Sequence, residues 1–347
     1  MKKFFILAAL FATSLVQTVA QDSTSTGSMT SEDEFDFSNL DNADDFTVKT
    51  FCTQKVPYLS PTQLISVGYE MQGAFSLSTV SPGTLGASNV TAFRGLRLGF
   101  NAPVISRSNF ILNLGLTYWD TQANLANPEN VPYGSNLEKG LRTTGINATI
   151  FKPLNDTRFL IFQGSADLNG VYRNLNELAI GKSTTYSATA IYGWKNNENT
   201  MFGLGVTRTY RAGQLLHIPV IYYNKTYNAK WGIESILPAR LNLRRSFGTT
   251  GSLLFGYEIE GNSFYLGQNP QNSAQDLFLR RGELKPRVTF QRQLSGFVWV
   301  AAQAGLRYAY RFEVFNDQNP VANEVPAFTT SVGNPMYFNI SLNLVSP

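Results

Sequence analysis

Of cysteine and histidine the chain has one each, Cys52 and His217, among 347 residues. A single thiol excludes an internal disulfide framework, and one thiol with one imidazole excludes a structural zinc or redox-metal site built on such ligands. No cofactor or metal is expected. The chain also lacks an apolar run of the roughly 18 to 20 residues needed to cross a bilayer as a helix. Phosphate-binding Gly-x-x-x-x-Gly-Lys-Ser/Thr loops, calcium loops and Gly-x-Ser-x-Gly elbows are missing. After residue 46 a 3.6-residue apolar period is missing as well, which argues against helical packing.

What is present begins with MKKFFILAALFATSLVQTVAQD. Two lysines, an apolar run from Phe4 to Val16 and small residues at Thr18-Val19-Ala20 make residues 1–20 a secretory signal peptide, with Gln21 first after the cut. No cysteine stands at that cut to take a lipid. Residues 21–45 form an acidic leader: eight carboxylates from Asp22 to Asp45 and no basic residue, among Ser, Thr and Asn. Such a segment buries too little apolar surface to fold alone. From Phe46 onward 26 basic residues stand against 16 acidic ones.

Residues 46–347 alternate with a period of 2. In FILNLGLTYWDTQ, Phe110, Leu112, Leu114, Leu116 and Tyr118 share one face, while Asn113, Gly115 and Thr117 share the other with Ile111 and Trp119. Val298, Val300, Ala302, Ala304 and Leu306 oppose Trp299, Gln303 and Arg307; Met336, Phe338, Ile340, Leu342 and Leu344 oppose Tyr337, Asn339, Ser341 and Asn343. Candidate strands are 62–75, 91–104, 109–120, 141–153, 157–169, 184–195, 200–211, 216–225, 230–237, 239–247, 251–265, 283–293, 297–312 and 335–346. Connections alternate between brief turns, such as Ile105-Ser106-Arg107-Ser108, and the long segments 76–90, 121–140, 170–183, 266–282 and 313–334.

Strands of ten or more residues exceed the usual five or six of a soluble sandwich and match the length that crosses a bilayer at a tilt. The expected fold is all-β: a closed, up-and-down antiparallel transmembrane β-barrel with short periplasmic turns and long extracellular loops. Fourteen strands are preferred, because a proline favours rims and turns and Leu237-Pro238-Ala239 then makes a tight outer hairpin; twelve is the fallback. Tyr118, Tyr210, Tyr308, Tyr310 and Phe312 suit an interfacial aromatic girdle. Whether residues 46–57 add a strand or plug the periplasmic mouth stays open.

The signal peptide followed by glutamine, the string HIPVIYYNKTYNAKWGIESILPARLNLRRSF, the LLFGYEIEGNSFYL after it and the closing YFNISLNLV resemble an uncharacterised outer-membrane barrel family common in Bacteroidetes bacteria. A more distant resemblance is to barrels encoded with phenol-degradation pathways. The resemblance implies an outer-membrane barrel of unassigned activity and carries over no functional residue.

With the apolar face outward, the other face lines a lumen. On four consecutive strands that face carries Arg240 and Arg244, Glu258 and Glu260, Lys285 and Arg287, then Arg307 and Arg311. Six cations against two carboxylates suggest a constriction that favours anionic solutes, since charges on a pore wall set selectivity. The expected function is therefore a passive or facilitated channel for small solutes. One alternative is a structural or adhesive barrel whose lumen these groups fill by pairing, with loops 121–140 and 313–334 binding a partner. The other is a lipid-ester hydrolase using His217, for which no serine can be assigned. Expected partners are outer-membrane lipid, the barrel-assembly machinery during insertion and small solutes. Nucleic acid is not expected, because the basic residues of the strands point into a lumen.

Overall fold

The computed structural model describes residues 50–346 except 82–83, 175–176, 211–212, 270–271 and 322–323. The expected signal peptide 1–20 and leader 21–45 lie outside the described residues. The described strands are β1 (Gln63–Gln72), β2 (Phe75–Ser81), β3 (Thr84–Arg107), β4 (Phe110–Leu125), β5 (Leu141–Pro153), β6 (Arg158–Gly170), β7 (Thr184–Asn197), β8 (Thr200–Thr209), β9 (Leu216–Thr226), β10 (Trp231–Leu237), β11 (Arg240–Ser246), β12 (Gly251–Asn269), β13 (Asn272–Ser295), β14 (Val298–Leu306), β15 (Tyr308–Phe315), β16 (Phe328–Val332) and β17 (Met336–Val345). Fourteen of them close a ring. From β1 it runs through β3 and each strand in turn to β14, then β17, which pairs back onto β1. Neighbours in the ring are antiparallel. The remaining β2, β15 and β16 prolong β1, β14 and β17 on the long-loop side.

Several expected boundaries are corrected by that prolongation. The segment 76–90, expected as a loop, pairs as β2 with the first part of β3. Likewise 266–282 continues the β12–β13 ladder. The expected strand 297–312 is interrupted at Arg307, and 313–334 contains the end of β15 and all of β16. Segment 121–140 completes β4 and adds a short helix, α1 (Gly134–Lys139). Long outer ladders bury backbone polar groups beyond the bilayer, so turn-rich composition alone does not mark these residues as loops. The outer hairpin at Pro238 forms as expected, with Ile236 opposite Arg240.

Outward alternation is apolar through the wall. Leu114, Leu116, Ile340 and Leu342 are 43, 54, 57 and 53 % exposed. A continuous apolar girdle around a closed ladder is the surface of a bilayer-spanning barrel, whose backbone groups find their partners within the wall.

Above that girdle the pattern inverts. Along β4 the outward side chains past Tyr118 become Asp120, Gln122 and Asn124, while inward Ala123 and Leu125 are buried. On four neighbouring wall strands the inward parity itself switches at one level: between β1 and β2 at 73–74, at Thr91 in β3, at Tyr310 in β15, and between β16 and β17 at 333–335. An extra residue in a ladder bends the strand and re-aims the side chains beyond it. Phe75, Leu77, Val90, Phe312, Val314 and Phe328 consequently turn inward and, with α1, form an apolar core inside the outer part of the barrel. Apolar-in and polar-out is the pattern of a protein in water, so the switch marks where the wall leaves the bilayer.

Candidate functional site

Four layers fill the interior. At the short-turn mouth, residues 50–62 run across the opening before entering β1. Cys52 N–H donates to the Asn155 carbonyl at 3.0 Å, and Thr226 Oγ1 donates to the Pro57 carbonyl at 2.6 Å. Lys195 Nζ donates to the Lys55 carbonyl at 2.9 Å and to Thr53 Oγ1. Ser60 donates through N–H and hydroxyl to Glu234 Oε1, 3.0 and 3.1 Å away, and Arg244 holds the same oxygen at 3.1 Å. Cys52 and Val56 pack on Phe151, Phe159 and Met201, inward side chains of β5, β6 and β8. The stacked Phe151 and Phe159 rings lie 5.3 Å apart. Burial pushes the Cys52 thiol pKa up and the Lys55 ammonium pKa down. Segment 50–62 thus fills the mouth and adds no strand.

Beside that segment lies a cavity of about 420 Å³. Ser66, Asn101, Asn113, Thr117, Asn147 and Gln163 line it from β1, β3, β4, β5 and β6, and Gln54 and Thr62 face it from the inner segment. Phe100 and Leu116 share the lining with these amides and hydroxyls, which carry no formal charge and offer donors and acceptors beside apolar surface.

The third layer is ionic. Glu70 of β1 meets Arg97 at 3.1 Å, Lys285 at 3.2 Å and Arg307 at 2.9 Å. Glu260 of β12 meets the same three cations at 2.7, 2.9 and 3.1 Å. Glu283 joins Arg307 at 2.9 Å and Arg281 at 2.8 Å. Lys285 also stands 4.3 Å from the centre of the buried Tyr337 ring. Glu70, Lys285 and Arg307 have side chains 1 to 2 % exposed. Charges so buried are tolerable only when paired several ways, and here each carboxylate bridges more than one strand.

Above it lies the outer apolar core. Tyr133, fully buried just before α1, packs against Phe312 and Phe328 with ring centres 6.3 and 6.1 Å away, and its hydroxyl meets Thr330. Burial in this loop pushes the Tyr133 phenol pKa up to about 12.

The eight charged residues read from strand parity separate into groups. Glu260, Lys285 and Arg307 join the ionic layer; Arg287 pairs with Glu258, and Arg244 pairs with Glu234. Arg240 stands opposite Glu258 in the β11–β12 ladder. Arg311 pairs with Glu313 at 3.4 Å in the outer extension, on the opposite side of β15 from buried Phe312 and Val314. Parity counted from Arg307 does not carry past the extra residue at Tyr310. Sequence reasoning missed Glu70, Arg97, Glu234, Arg281 and Glu283. Glu70 and Arg97 were legible as lone charges at inward positions between outward apolar neighbours, Tyr69 and Met71 for the first and Leu96 and Leu98 for the second; Glu234 lies between Ile233 and buried Ser235, Arg281 sits at the end of a segment that reads as loop, and Glu283 is the first residue of the expected strand 283–293. With them, the carboxylates in the wall are five and not two, the cations eight and not six, and the positive surplus falls from four to three. His217 is exposed on the outward face of β9, opposite Arg208 in the ladder and away from these layers.

No protein-family model matches the chain, and no curated protein matches it. The resemblance read from the strand strings therefore stands on those strings. Similar solved structures include an outer membrane channel from Pseudomonas putida F1, 13% identical with a TM-score of 0.39, covering 83% of this chain and 97% of that one. A Pseudomonas aeruginosa FadL homologue is 9% identical with a TM-score of 0.38, over 81% of this chain and 89% of that one. The KdgM porin in complex with disordered oligogalacturonate is 7% identical with a TM-score of 0.34, over 81% and 99%.

Proposed function

We propose that this chain is a bacterial outer-membrane channel for small solutes, shut in the present conformation. The carrying observation is the uncharged cavity of about 420 Å³, lined by amides and hydroxyls together with Phe100 and Leu116, inside a lipid-facing wall. A barrel that served only as a scaffold would gain more from packed side chains in that volume than from a lining of amides and hydroxyls. Segment 50–62 closes the cavity toward the short-turn mouth, and the ionic layer and outer core lie between it and the outside. The lining suits uncharged polar solutes; cations slightly outnumber carboxylates in the ionic layer, which supports a weak preference for anions over cations.

Opening requires segment 50–62 to move, and Glu234, which accepts from both the N–H and the hydroxyl of Ser60, is one of its tethers. Planar-bilayer recording on the purified chain tests the reading. The unaltered protein should show rare, brief openings. Glu234→Ala should show sustained ones, with a reversal potential displaced slightly toward the anion in a salt gradient. Absence of current and of sugar-driven liposome swelling in both proteins would overturn the channel and leave a sealed structural barrel.

A further inference from the structure

At the short-turn edge the lipid-facing side of the wall carries charge of one sign. Arg107, Lys152, Arg158, Lys225, Arg245 and Arg292 stand there at outward positions, each opposite an apolar residue of a neighbouring strand. None has a carboxylate partner among the described residues, and Glu198, in a turn of the same edge, is taken by Lys195 at 3.2 Å. On the long-loop side, by contrast, Arg142 meets Asp120 at 3.2 Å and Lys182 meets Asp276 at 2.6 Å. Unpaired like charges repel one another, and at the boundary between hydrocarbon and water the counter-ion at hand is a lipid phosphate.

Two of these cations converge. Arg245 lies against two rings, its Cζ 5.5 Å from the centre of Trp231 and 5.8 Å from that of Phe247. Phe247 N–H donates to the Gly251 carbonyl at 2.8 Å, and Gly251 pairs on its other side with Arg292. A Cβ on Gly251 would stand 3.3 Å from Arg292 Cδ and 3.5 Å from its Nη1, so the Arg292 side chain lies over the glycine, toward β11. Gly251 is thereby the floor of a shallow cradle, with Arg245 and Phe247 on one wall and Arg292 on the other. Both arginines are exposed. Leu243 and Phe255, each 40 % exposed, continue the same outward face into the bilayer. Guanidinium N–H groups match phosphate oxygens in pairs, and cations beside Trp and Tyr at the end of a membrane span belong at headgroup depth.

We propose that Arg245 and Arg292 hold the phosphate of an anionic phospholipid across Gly251, with its acyl chains lying on Leu243, Leu253 and Phe255. The lipid comes from the leaflet on the short-turn side. A zwitterionic headgroup brings a cation of its own, and no carboxylate among the described residues stands at the cradle to take it, so phosphatidylglycerol is preferred to phosphatidylcholine. Free phosphate lacks the chains that cover these apolar side chains. The site faces away from the interior and is independent of solute flow through the inner cavity.

Trp231, beside Arg245, reports on the occupant. The full chain carrying Trp119→Phe, Trp194→Phe and Trp299→Phe is reconstituted in phosphatidylcholine vesicles that contain brominated phosphatidylglycerol or brominated phosphatidylcholine at equal mole fraction, and quenching of Trp231 is measured. Brominated phosphatidylglycerol should quench with a relative binding constant about tenfold higher, and excess inorganic phosphate should leave that preference in place. Arg245→Gln combined with Arg292→Gln should abolish it. Gly251→Val, which keeps both charges and displaces Arg292, should lower it about threefold. Every variant should keep the heat-modifiable gel migration of a folded barrel. Equal quenching by the two lipids, or an unchanged preference in the double glutamine variant, overturns the proposal. A preference untouched by Gly251→Val overturns the cradle in favour of diffuse attraction, and one erased by inorganic phosphate overturns the lipid as occupant. None of these readouts involves current or swelling, so failure here is distinct from failure of the channel reading.

Discussion

At the scale of single residues, the interior is governed by Glu70. One carboxylate, 1 % exposed, faces Arg97, Lys285 and Arg307. Removing one partner of a buried ion pair leaves an uncompensated charge and costs about 3–5 kcal/mol. Glu70→Gln should therefore lower the urea midpoint of the reconstituted barrel steeply. Glu70→Gln combined with Lys285→Met should cost less than the two changes summed, because the second removes the charge the first strands. Glu258→Gln, at the position opposite Lys285 in the β12–β13 ladder, should couple with Glu70→Gln and not add independently. Gly193 is a different kind of requirement: a Cβ there would stand 2.2 Å from the Phe159 ring, which has no exposed surface. Gly193→Ala should destabilise by about 1–3 kcal/mol, and Phe159→Leu in the same chain should recover part of it.

At the scale of elements, segment 50–62 is the part best placed to move. It has no ladder and is held by a handful of hydrogen bonds and the packing of Cys52 and Val56. Local opening is favoured where few contacts must break. Cys52 reports on it. Its thiol pKa is raised by burial, so thiolate forms only above the ordinary thiol range and maleimide labelling at neutral pH should be slow. In Glu234→Ala the segment loosens, burial falls, the thiol pKa drops toward its ordinary value, and labelling at neutral pH should quicken. Equal labelling curves against pH in the two proteins would show that Glu234 does not hold the segment. Above the bilayer a different element-scale effect operates: one extra residue in β3 and in β15, and short breaks at 73–74 and 333–335, reverse which side chains of four adjacent wall strands face inward. Arg311 and Phe312 exchange roles for that reason.

At the scale of the whole molecule, the apolar band and the polar interior make opposite demands at adjacent positions. Leu114→Arg places a charge in hydrocarbon and should cost about 2–4 kcal/mol if the residue lies near the midplane. Asn113→Arg, one residue away and lining the inner cavity, should leave stability nearly unchanged while altering ion selectivity. Urea unfolding in lipid checks the first, and reversal potentials check the second. Similar costs at both positions would contradict a lipid-facing and water-facing division of the wall.

The alternation of Leu112, Leu114 and Leu116 with Asn113, Gly115 and Thr117, the lengths of the runs and the single Pro238 hairpin were enough to determine an all-β barrel of fourteen wall strands, because closure is the arrangement that satisfies strands in lipid. Inward charges were legible wherever parity stayed regular, as at Glu260 and Lys285. Tertiary structure alone decided that Glu70 on the first strand and Glu283 near a turn-rich segment neutralise those cations, since ion pairing across a closed ring joins residues far apart in the chain. It also decided that the parity breaks of four strands fall at one height, and that Arg292 lies across Gly251 toward the strand of Arg245. Neither can be read from any one strand's pattern, because each depends on how neighbouring ladders are staggered around the ring.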